Sequence, residues 1–285
     1  MLLENTVVFL TGAGRGIGRA MALKLASEGA KVALVSRTEN QIDEVRDEIV
    51  ETGGVAMSVP LDINHYAAVE AAADRIEGEL GSVNLVANNA GSFNCIGPFW
   101  EVDPDAWWQD MTTNVKGAFN CCKVFGSRMR ERGAGRLVNV IGGGTGTPFP
   151  NGSAYGSSKS ALMRFTESIA AELKKSGVIA IAMFPGLVRT SMTELQLESP
   201  EGQKWLPRIQ DLFAEGRNVP PTLAANLLAE IATGRFDALA GKALDVRHNL
   251  NDIEAAIETI NSNDELTLRM TGMEYIAEWE AQFKK

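Results

Sequence analysis

Short apolar runs rich in β-branched residues alternate along most of the chain with longer segments whose apolar positions follow a helical period. The runs predict strands over residues 6–10, 31–36, 55–60, 85–88, 136–141 and 179–184. The segments between them predict helices near residues 17–28, 39–51, 67–80, 104–132 and 154–174. Strands joined by such helices need crossover connections, which produce a mostly parallel sheet covered on both faces. The pattern therefore predicts a Rossmann-like α/β fold, a three-layer α/β/α sandwich around a doubly wound sheet.

The alternation breaks after residue 184. Residues 190–219 form a long stretch of mixed polar and apolar positions, and a helix over about 222–233 follows two prolines, which suit a first helical turn. A last strand is predicted over 242–246, and the tail over 251–285 predicts two amphipathic helices, 253–260 and 274–283. Because no repeat or low-complexity linker interrupts the chain, we expect a single nucleotide-binding domain over 1–285. Its core would span about 5–246, with a helical C-terminal extension.

Composition narrows the class of protein. The net charge of −9 disfavours nucleic acid and anionic membranes, so we expect neither as a partner. The N-terminal apolar run is far shorter than the roughly 20 residues of a spanning helix, and we expect no secretory signal. The three cysteines, Cys95, Cys121 and Cys122, fit neither a disulfide framework nor a metal site, so we expect buried thiols. These features predict a cytoplasmic protein.

A glycine-rich segment, Thr11-Gly-Ala-Gly-Arg-Gly-Ile-Gly18, lies between the first predicted strand and the first predicted helix. Glycines there allow a tight turn and let a pyrophosphate approach N–H groups at a helix N-terminus, where the dipole favours anions. The spacing differs from the commoner Gly-x-Gly-x-x-Gly pattern, and a glycine trio by itself also fits a structural turn. Its place between strand and helix favours a cofactor loop formed by Gly12, Arg15, Gly16, Ile17 and Gly18.

The residues at the end of the second predicted strand indicate which nicotinamide cofactor would bind. NAD-binding proteins usually place an Asp or Glu there, on the ribose 2′-hydroxyl, but this chain reads Ser36-Arg37-Thr38. Arg37 and Arg15 could bracket a 2′-phosphate through charge-assisted hydrogen bonds, with the hydroxyl of Ser36 added. The alternative is a pair of ordinary surface arginines. We expect NADP(H), with NAD(H) as the second choice.

Tyr155 and Lys159 lie four residues apart, on one face of a predicted helix. A free tyrosine titrates near 10, and a neighbouring cation stabilises its phenolate form. The Tyr-x-x-x-Lys spacing is common by chance, but here it follows the fifth predicted strand of a chain that also has the glycine-rich loop. The pair therefore predicts a proton-transfer site.

With both motifs, the chain resembles the short-chain dehydrogenase/reductase family over about residues 5–246. The resemblance implies hydride transfer at a nicotinamide, with Tyr155 as general acid in reduction or base in oxidation and Lys159 on the nicotinamide ribose. Asn114 resembles the helix asparagine that anchors a proton-relay water. The resemblance also implies three groups of cofactor contacts. The pair that contacts the adenine would be Asp62 and Ile63, and the Asn-Asn-Ala-Gly segment would contribute Asn89, Ala90 and Gly91. The segment that holds the nicotinamide carboxamide would contribute Pro185, Gly186, Val188 and Thr190.

The chain departs from the family at one catalytic position. The family usually has a serine about thirteen residues before the tyrosine, whereas this chain has Gly142. Loss of one such donor costs about a hundred- to a thousand-fold in rate. Thr145 is the nearest hydroxyl, although it would need a shifted loop. Alternatively, residues 142–144 supply backbone N–H donors or make room for a bulky substrate.

These observations predict an NADP(H)-dependent oxidoreductase that interconverts a carbonyl and an alcohol. Several apolar residues near the motifs favour a small apolar substrate: Phe93, Cys95, Phe149, Met192 and Trp205. The alternative, from another class of protein, is a nucleotide-binding sensor or structural protein with little turnover, because the serine is missing. Trp100, Trp107 and Trp108 either rim the substrate mouth or pack at a subunit interface. We expect the latter, in a homodimer or homotetramer.

Overall fold

A computed structural model describes residues 2–270, and its centre is one seven-stranded parallel sheet. The strands are β1 (Val7–Thr11), β2 (Lys31–Ser36), β3 (Val55–Pro60), β4 (Leu85–Asn88), β5 (Gly135–Val140), β6 (Val178–Phe184) and β7 (Ala243–Asp245). Their order across the sheet is β3-β2-β1-β4-β5-β6-β7, and each neighbouring pair is parallel. The predicted fold class is therefore confirmed, with a sheet that is parallel throughout the described residues.

Twelve α-helices lie in the described residues. They are α1 (Gly16–Ser27), α2 (Glu39–Glu51), α3 (Tyr66–Leu80), α4 (Pro104–Met111), α5 (Gly117–Arg132), α6 (Ser153–Leu173), α7 (Ser191–Glu198), α8 (Pro200–Trp205), α9 (Pro207–Ala214), α10 (Pro221–Ala232), α11 (Leu250–Ala255) and α12 (Ile257–Ser262). Apolar residues of α1, α2 and α10 pack on one face of the sheet, and those of α3, α5 and α6 pack on the other. The three predicted layers are thus present.

Strand β1 shows why the sequence folds this way. Val8 and Leu10 pack into the core on one face of the sheet, whereas Val7 and Phe9 pack into the core on the other. All four side chains are buried, because successive side chains of a strand point to opposite faces and helices cover both. A continuous apolar run is therefore the expected pattern for a central strand.

Three predicted segments differ from the structure. The helix predicted over 104–132 consists of α4, a π-helical turn at Thr112–Lys116, and α5. Residues 190–219, for which no regular structure was predicted, contain α7, α8 and α9. The tail helix predicted over 253–260 is divided between α11 and α12, and the one predicted over 274–283 lies outside the described residues.

The sheet topology determines where a ligand can bind. The chain runs from β1 outward through β2 to β3, then returns to place β4 on the other side of β1. Open parallel sheets bind ligands beyond the carboxyl ends of their strands, at such a switch point.

Within residues 2–270, no helix is long and apolar enough to cross a membrane. The predicted burial of the three cysteines is confirmed.

Candidate active site

The turn between β1 and α1 is shaped by glycines that no other residue could replace without strain. Gly12 and Gly16 have φ angles of 66° and 55°, in the left-handed region. A Cβ on Gly18 would overlap the carbonyl oxygen of Gly12. Within the described residues, the N-cap residue Arg15 makes no side-chain capping bond, and the first turn of α1 has no acidic residue. Its N–H groups and positive dipole end are thus available to an anion such as a pyrophosphate.

The ends of β1 and β4 are held together by side-chain hydrogen bonds. The Thr11 hydroxyl accepts from the N–H groups of Asn89 and Ala90, at 3.0 and 2.9 Å. The Asn89 amide donates to the carbonyl oxygens of Thr11 and Gly12, at 3.0 and 3.3 Å. These bonds bring Ala90 so close that a Cβ on Gly12 would lie 3.0 Å from its Cα. The Asn-Asn-Ala-Gly segment therefore forms one wall of the groove over the glycine turn.

Most of the predicted cofactor residues line this groove. They are Gly12, Arg15, Gly16, Ile17, Gly18, Ser36, Arg37, Asp62, Ile63, Asn89, Ala90, Gly91 and Thr190. Five predicted cofactor residues do not line it: Tyr155, Lys159, Pro185, Gly186 and Val188. The Val188 carbonyl oxygen accepts from the Thr193 hydroxyl at 3.0 Å. Sequence reasoning missed several lining residues, among them Gln41, Asn64, Thr113 and Ser191. These four belong to none of the motifs, so spacing alone gave no signal for them.

One end of the groove is positively charged. Arg15 and Arg37 both line it, both are exposed, and neither has an ion-pair partner among residues 2–270. The Ser36 hydroxyl accepts from the N–H of Thr38 at 3.2 Å. Glu39 begins α2 and does not line the groove, so no carboxylate directly follows β2 there. This end of the groove therefore suits a phosphate on a ribose better than the free hydroxyls of an unphosphorylated ribose.

Tyr155 and Lys159 lie on the first turns of α6, as predicted. The Lys159 ammonium donates to the Val140 carbonyl oxygen at 2.8 Å and lies 5.5 Å from the centre of the Tyr155 ring. Burial raises the pKa of Tyr155 to about 12 and lowers the pKa of Lys159 to about 8. The phenol is thus neutral at physiological pH, with a cation beside its ring.

The pair does not line the groove itself, but Lys159 lies beside Gly91, which does. A Cβ on Gly91, which lines the groove, would lie 3.7 Å from the Lys159 ammonium and 3.3 Å from Asn114 Oδ1. Asn114 lies in the π-helical turn and is buried. Its amide donates to the Ser92 carbonyl oxygen and to the Ser158 hydroxyl, at 2.8 and 2.9 Å, and its Oδ1 accepts from the Ser92 N–H at 2.7 Å. The water-anchoring role of Asn114 stays a prediction.

Gly142 lies directly against the hydroxyl of Tyr155. A Cβ at this position would overlap that hydroxyl and would lie 3.3 Å from Cζ of the ring. The tyrosine hydroxyl therefore occupies the space that a side chain at residue 142 would need.

The Thr145 hydroxyl donates to the Gly142 carbonyl oxygen at 2.7 Å, and the Gly142 N–H approaches the same hydroxyl at 3.4 Å. Thr145 is buried, and this exchange closes the turn over residues 142–145. Its hydroxyl proton is used inside the loop, so donation to a substrate stays a prediction that needs the loop to open.

An aromatic cluster covers Tyr155. The Phe93 ring stacks on it with centroids 4.6 Å apart and planes 10° apart, and Phe149 meets both rings edge-on. Phe93 is buried, and Met192 and Trp205 pack against the same cluster. The backbone N–H groups of Asn94 and Cys95, just after Phe93, donate to Asp110, a buried carboxylate that sequence reasoning missed. A signal was present, because Asp110 precedes Asn114 by four residues and so lies on the same helix face.

A family model described as short chain dehydrogenase matches residues 6–201 of the chain. The "Probable oxidoreductase EphD" of Mycobacterium tuberculosis is 36% identical over 189 residues, which are 66% of this chain and 32% of that protein. The chain thus corresponds to about a third of the length of that curated relative.

Solved structures show the same fold. A gluconate 5-dehydrogenase from Burkholderia cenocepacia J2315, in complex with NADP and tartrate, has a TM-score of 0.78 at 25% identity, over 88% of this chain and 96% of that one. An NAD⁺-bound xylitol dehydrogenase has a TM-score of 0.77 at 25% identity, over 85% of this chain and 98% of that one. Relatives of one fold therefore bind either nicotinamide cofactor.

Proposed function

Because the chain belongs to the short-chain dehydrogenase/reductase family, we propose that it interconverts a carbonyl and an alcohol with NADP(H), using Tyr155 as the general acid or base. The observation that supports this most is the neutral Tyr155 phenol, with the Lys159 ammonium beside its ring, next to the glycine-lined groove.

The groove fits an extended dinucleotide. The glycine turn and the N-terminus of α1 would hold the pyrophosphate, while Arg15 and Arg37 would hold a 2′-phosphate at the positive end. Asp62 and Ile63 line the wall where the adenine would lie, and Lys159 is beside Gly91, another lining residue. When bound there, the nicotinamide supplies or accepts the hydride.

The protonation state of Tyr155 favours carbonyl reduction. A phenol whose pKa is raised to about 12 stays protonated at neutral pH and can donate its proton to the oxygen of a carbonyl under reduction. Alcohol oxidation needs the phenolate, whose fraction is about a hundredfold smaller than for an ordinary tyrosine. The Lys159 ammonium, 5.5 Å from the ring centre, would offset part of this cost, because a nearby cation stabilises a phenolate.

The substrate we propose is apolar, because the surroundings of Tyr155 are aromatic and aliphatic. The test is NADPH oxidation, followed by absorbance, across a panel of aromatic ketones, quinones, aliphatic aldehydes and sugars. We expect turnover with apolar carbonyls and little with sugars, and none with the matched control Tyr155→Phe. Faster turnover of sugars than of any apolar carbonyl would contradict the substrate class.

A second candidate function follows from Gly142. Without the serine donor, and with the tyrosine hydroxyl packed against the glycine, the chain could bind NADP(H) as a sensor with little turnover. Calorimetric titration separates the two functions. Tight NADPH binding without turnover of any carbonyl in the panel would favour the sensor and overturn the enzyme.

A further inference from the structure

We propose that Phe93 is a positioning residue for Tyr155, and that its stacked ring and the bare backbone of Gly142 work as a pair. The ring holds the tyrosine with its hydroxyl against residue 142, and the glycine leaves the space for it. The absence of a side chain at Gly142 is then a requirement of this site rather than a loss. This inference deepens the proposed function and rests on Tyr155 being the proton donor.

The backbone on both sides of Phe93 is fixed from the helix behind it. The Asp110 carboxylate is fully buried and accepts from the N–H groups of Asn94 and Cys95, both at 2.9 Å, and from the Ser92 hydroxyl. Asn114, one helical turn further, pairs with both the N–H and the carbonyl oxygen of Ser92. Charged acceptors make the stronger backbone hydrogen bonds, so this loop has little freedom to move.

The ring itself is confined on its other sides. A Cβ on Gly152 would lie 2.6 Å from Cζ of Phe93 and 2.6 Å from Cδ1 of Phe149. Phe149 meets the Phe93 ring edge-on, with centroids 5.5 Å apart. Phe93 is only 2% exposed, so its ring cannot rotate away without displacing these neighbours. A rigid flat surface is thus presented to the face of Tyr155.

The position of the Tyr155 hydroxyl explains why residue 142 has no side chain. In the stacked arrangement on Phe93, the tyrosine hydroxyl lies where a Cβ at residue 142 would overlap it. The backbone at Gly142 does not need glycine for conformational reasons, because its φ lies outside the left-handed region. Contact with the tyrosine hydroxyl is therefore what excludes a side chain there.

A double-mutant cycle on the full-length protein tests the pairing. We expect Gly142→Ala to lower kcat for carbonyl reduction by about tenfold or more, because it displaces the reacting hydroxyl. In a Phe93→Ala background, where the tyrosine can move aside, the same substitution should change kcat by less than about twofold. Phe93→Ala alone should lower kcat by about ten- to a hundred-fold. Equal fold-changes for Gly142→Ala in both backgrounds would overturn the pairing.

A titration of the cofactor-free protein separates this inference from the proposed function. Ultraviolet difference spectra against Tyr155→Phe give the pH midpoint of the Tyr155 phenolate. Removal of the Phe93 ring admits water, so we expect the midpoint to fall from about 12 towards 10 in Phe93→Ala. A midpoint unchanged in Phe93→Ala would overturn the positioning role, whether or not any carbonyl is turned over. If thermal unfolding shows that Phe93→Ala does not fold, Phe93→Leu replaces it in both experiments.

Discussion

Replacement of Arg37 by aspartate should reverse the cofactor preference. Arg37 is exposed at the positive end of the groove, opposite Arg15, and has no ion-pair partner in the described part of the chain. Its guanidinium is thus available to a 2′-phosphate, and no internal salt bridge needs to break. Arg37→Asp would remove that contact, place a negative charge beside the phosphate, and supply a carboxylate for the ribose hydroxyl of NAD(H).

The size of the effect follows from the chemistry of the contact. A hydrogen bond to a charged group is worth about 1.5–3 kcal/mol, and 1.4 kcal/mol corresponds to a factor of ten in Kd. Because Arg37 is exposed, the lower end applies, so loss of the contact should weaken NADPH binding by about tenfold. Repulsion of the phosphate and the new bond to NADH should together move the NADPH/NADH ratio of Kd by about a hundredfold or more.

Fluorescence titration of both cofactors provides the measurement. The matched control is Arg75→Asp, which makes the same charge change on α3, away from the groove. We expect the unmutated protein and Arg75→Asp to bind NADPH more tightly, with an affinity that falls as salt rises. Equal or tighter binding of NADH by the unmutated protein, or an unchanged ratio of the two Kd values in Arg37→Asp, would rule out Arg37 as the residue that selects NADP(H).

Two further predictions concern Lys159 and Thr145. Because burial lowers the pKa of Lys159 to about 8, its ammonium is lost as pH rises through that value, so kcat/KM for reduction should decline above about pH 8. Lys159→Arg keeps its charge, so the decline should vanish in its pH profile; a profile identical to that of the unmutated protein would contradict the assignment. Thr145→Ala removes the bond to the Gly142 carbonyl and should lower Tm by about 2–4 °C, with Thr145→Ser restoring it. If Thr145→Ala leaves Tm unchanged but lowers kcat by more than about tenfold, the Thr145 hydroxyl instead donates a hydrogen bond to the substrate oxygen.

Much of the fold could be predicted because its signals are local. The buried strands of a parallel sheet are continuous apolar runs, and six of them stand out along the chain. The helices α7, α8 and α9 could have been predicted from their caps. Thr190 caps α7 with a capping box, Ser199 caps α8, and Pro200 and Pro207 begin α8 and α9. The π-helical turn has no such cap, and the bonds of its Asn114 to Ser92 join residues far apart in the sequence.

The candidate site also has parts that could be predicted from the sequence and parts that could not. The glycine turn and the Tyr155–Lys159 pair are each contained within one short segment, so spacing was enough to predict them. The stack of Phe93 on Tyr155 joins a residue of the loop after β4 to a residue of α6, and no periodicity links them. The role of Gly142 could not be predicted either. The sequence shows only that the usual serine is absent, whereas the contact of Gly142 with Tyr155 depends on that stack.

The most direct test of the proposed function follows the hydride itself. The protein is incubated with NADPH deuterated at C4 of the nicotinamide and with the best carbonyl of the panel, and the alcohol is examined by mass spectrometry. We expect deuterium at the carbinol carbon, and Tyr155→Phe should bind NADPH equally well yet form product at least about a hundredfold more slowly. Absence of label from every product, or transfer by Tyr155→Phe at the rate of the unmutated protein, would contradict the proposed function.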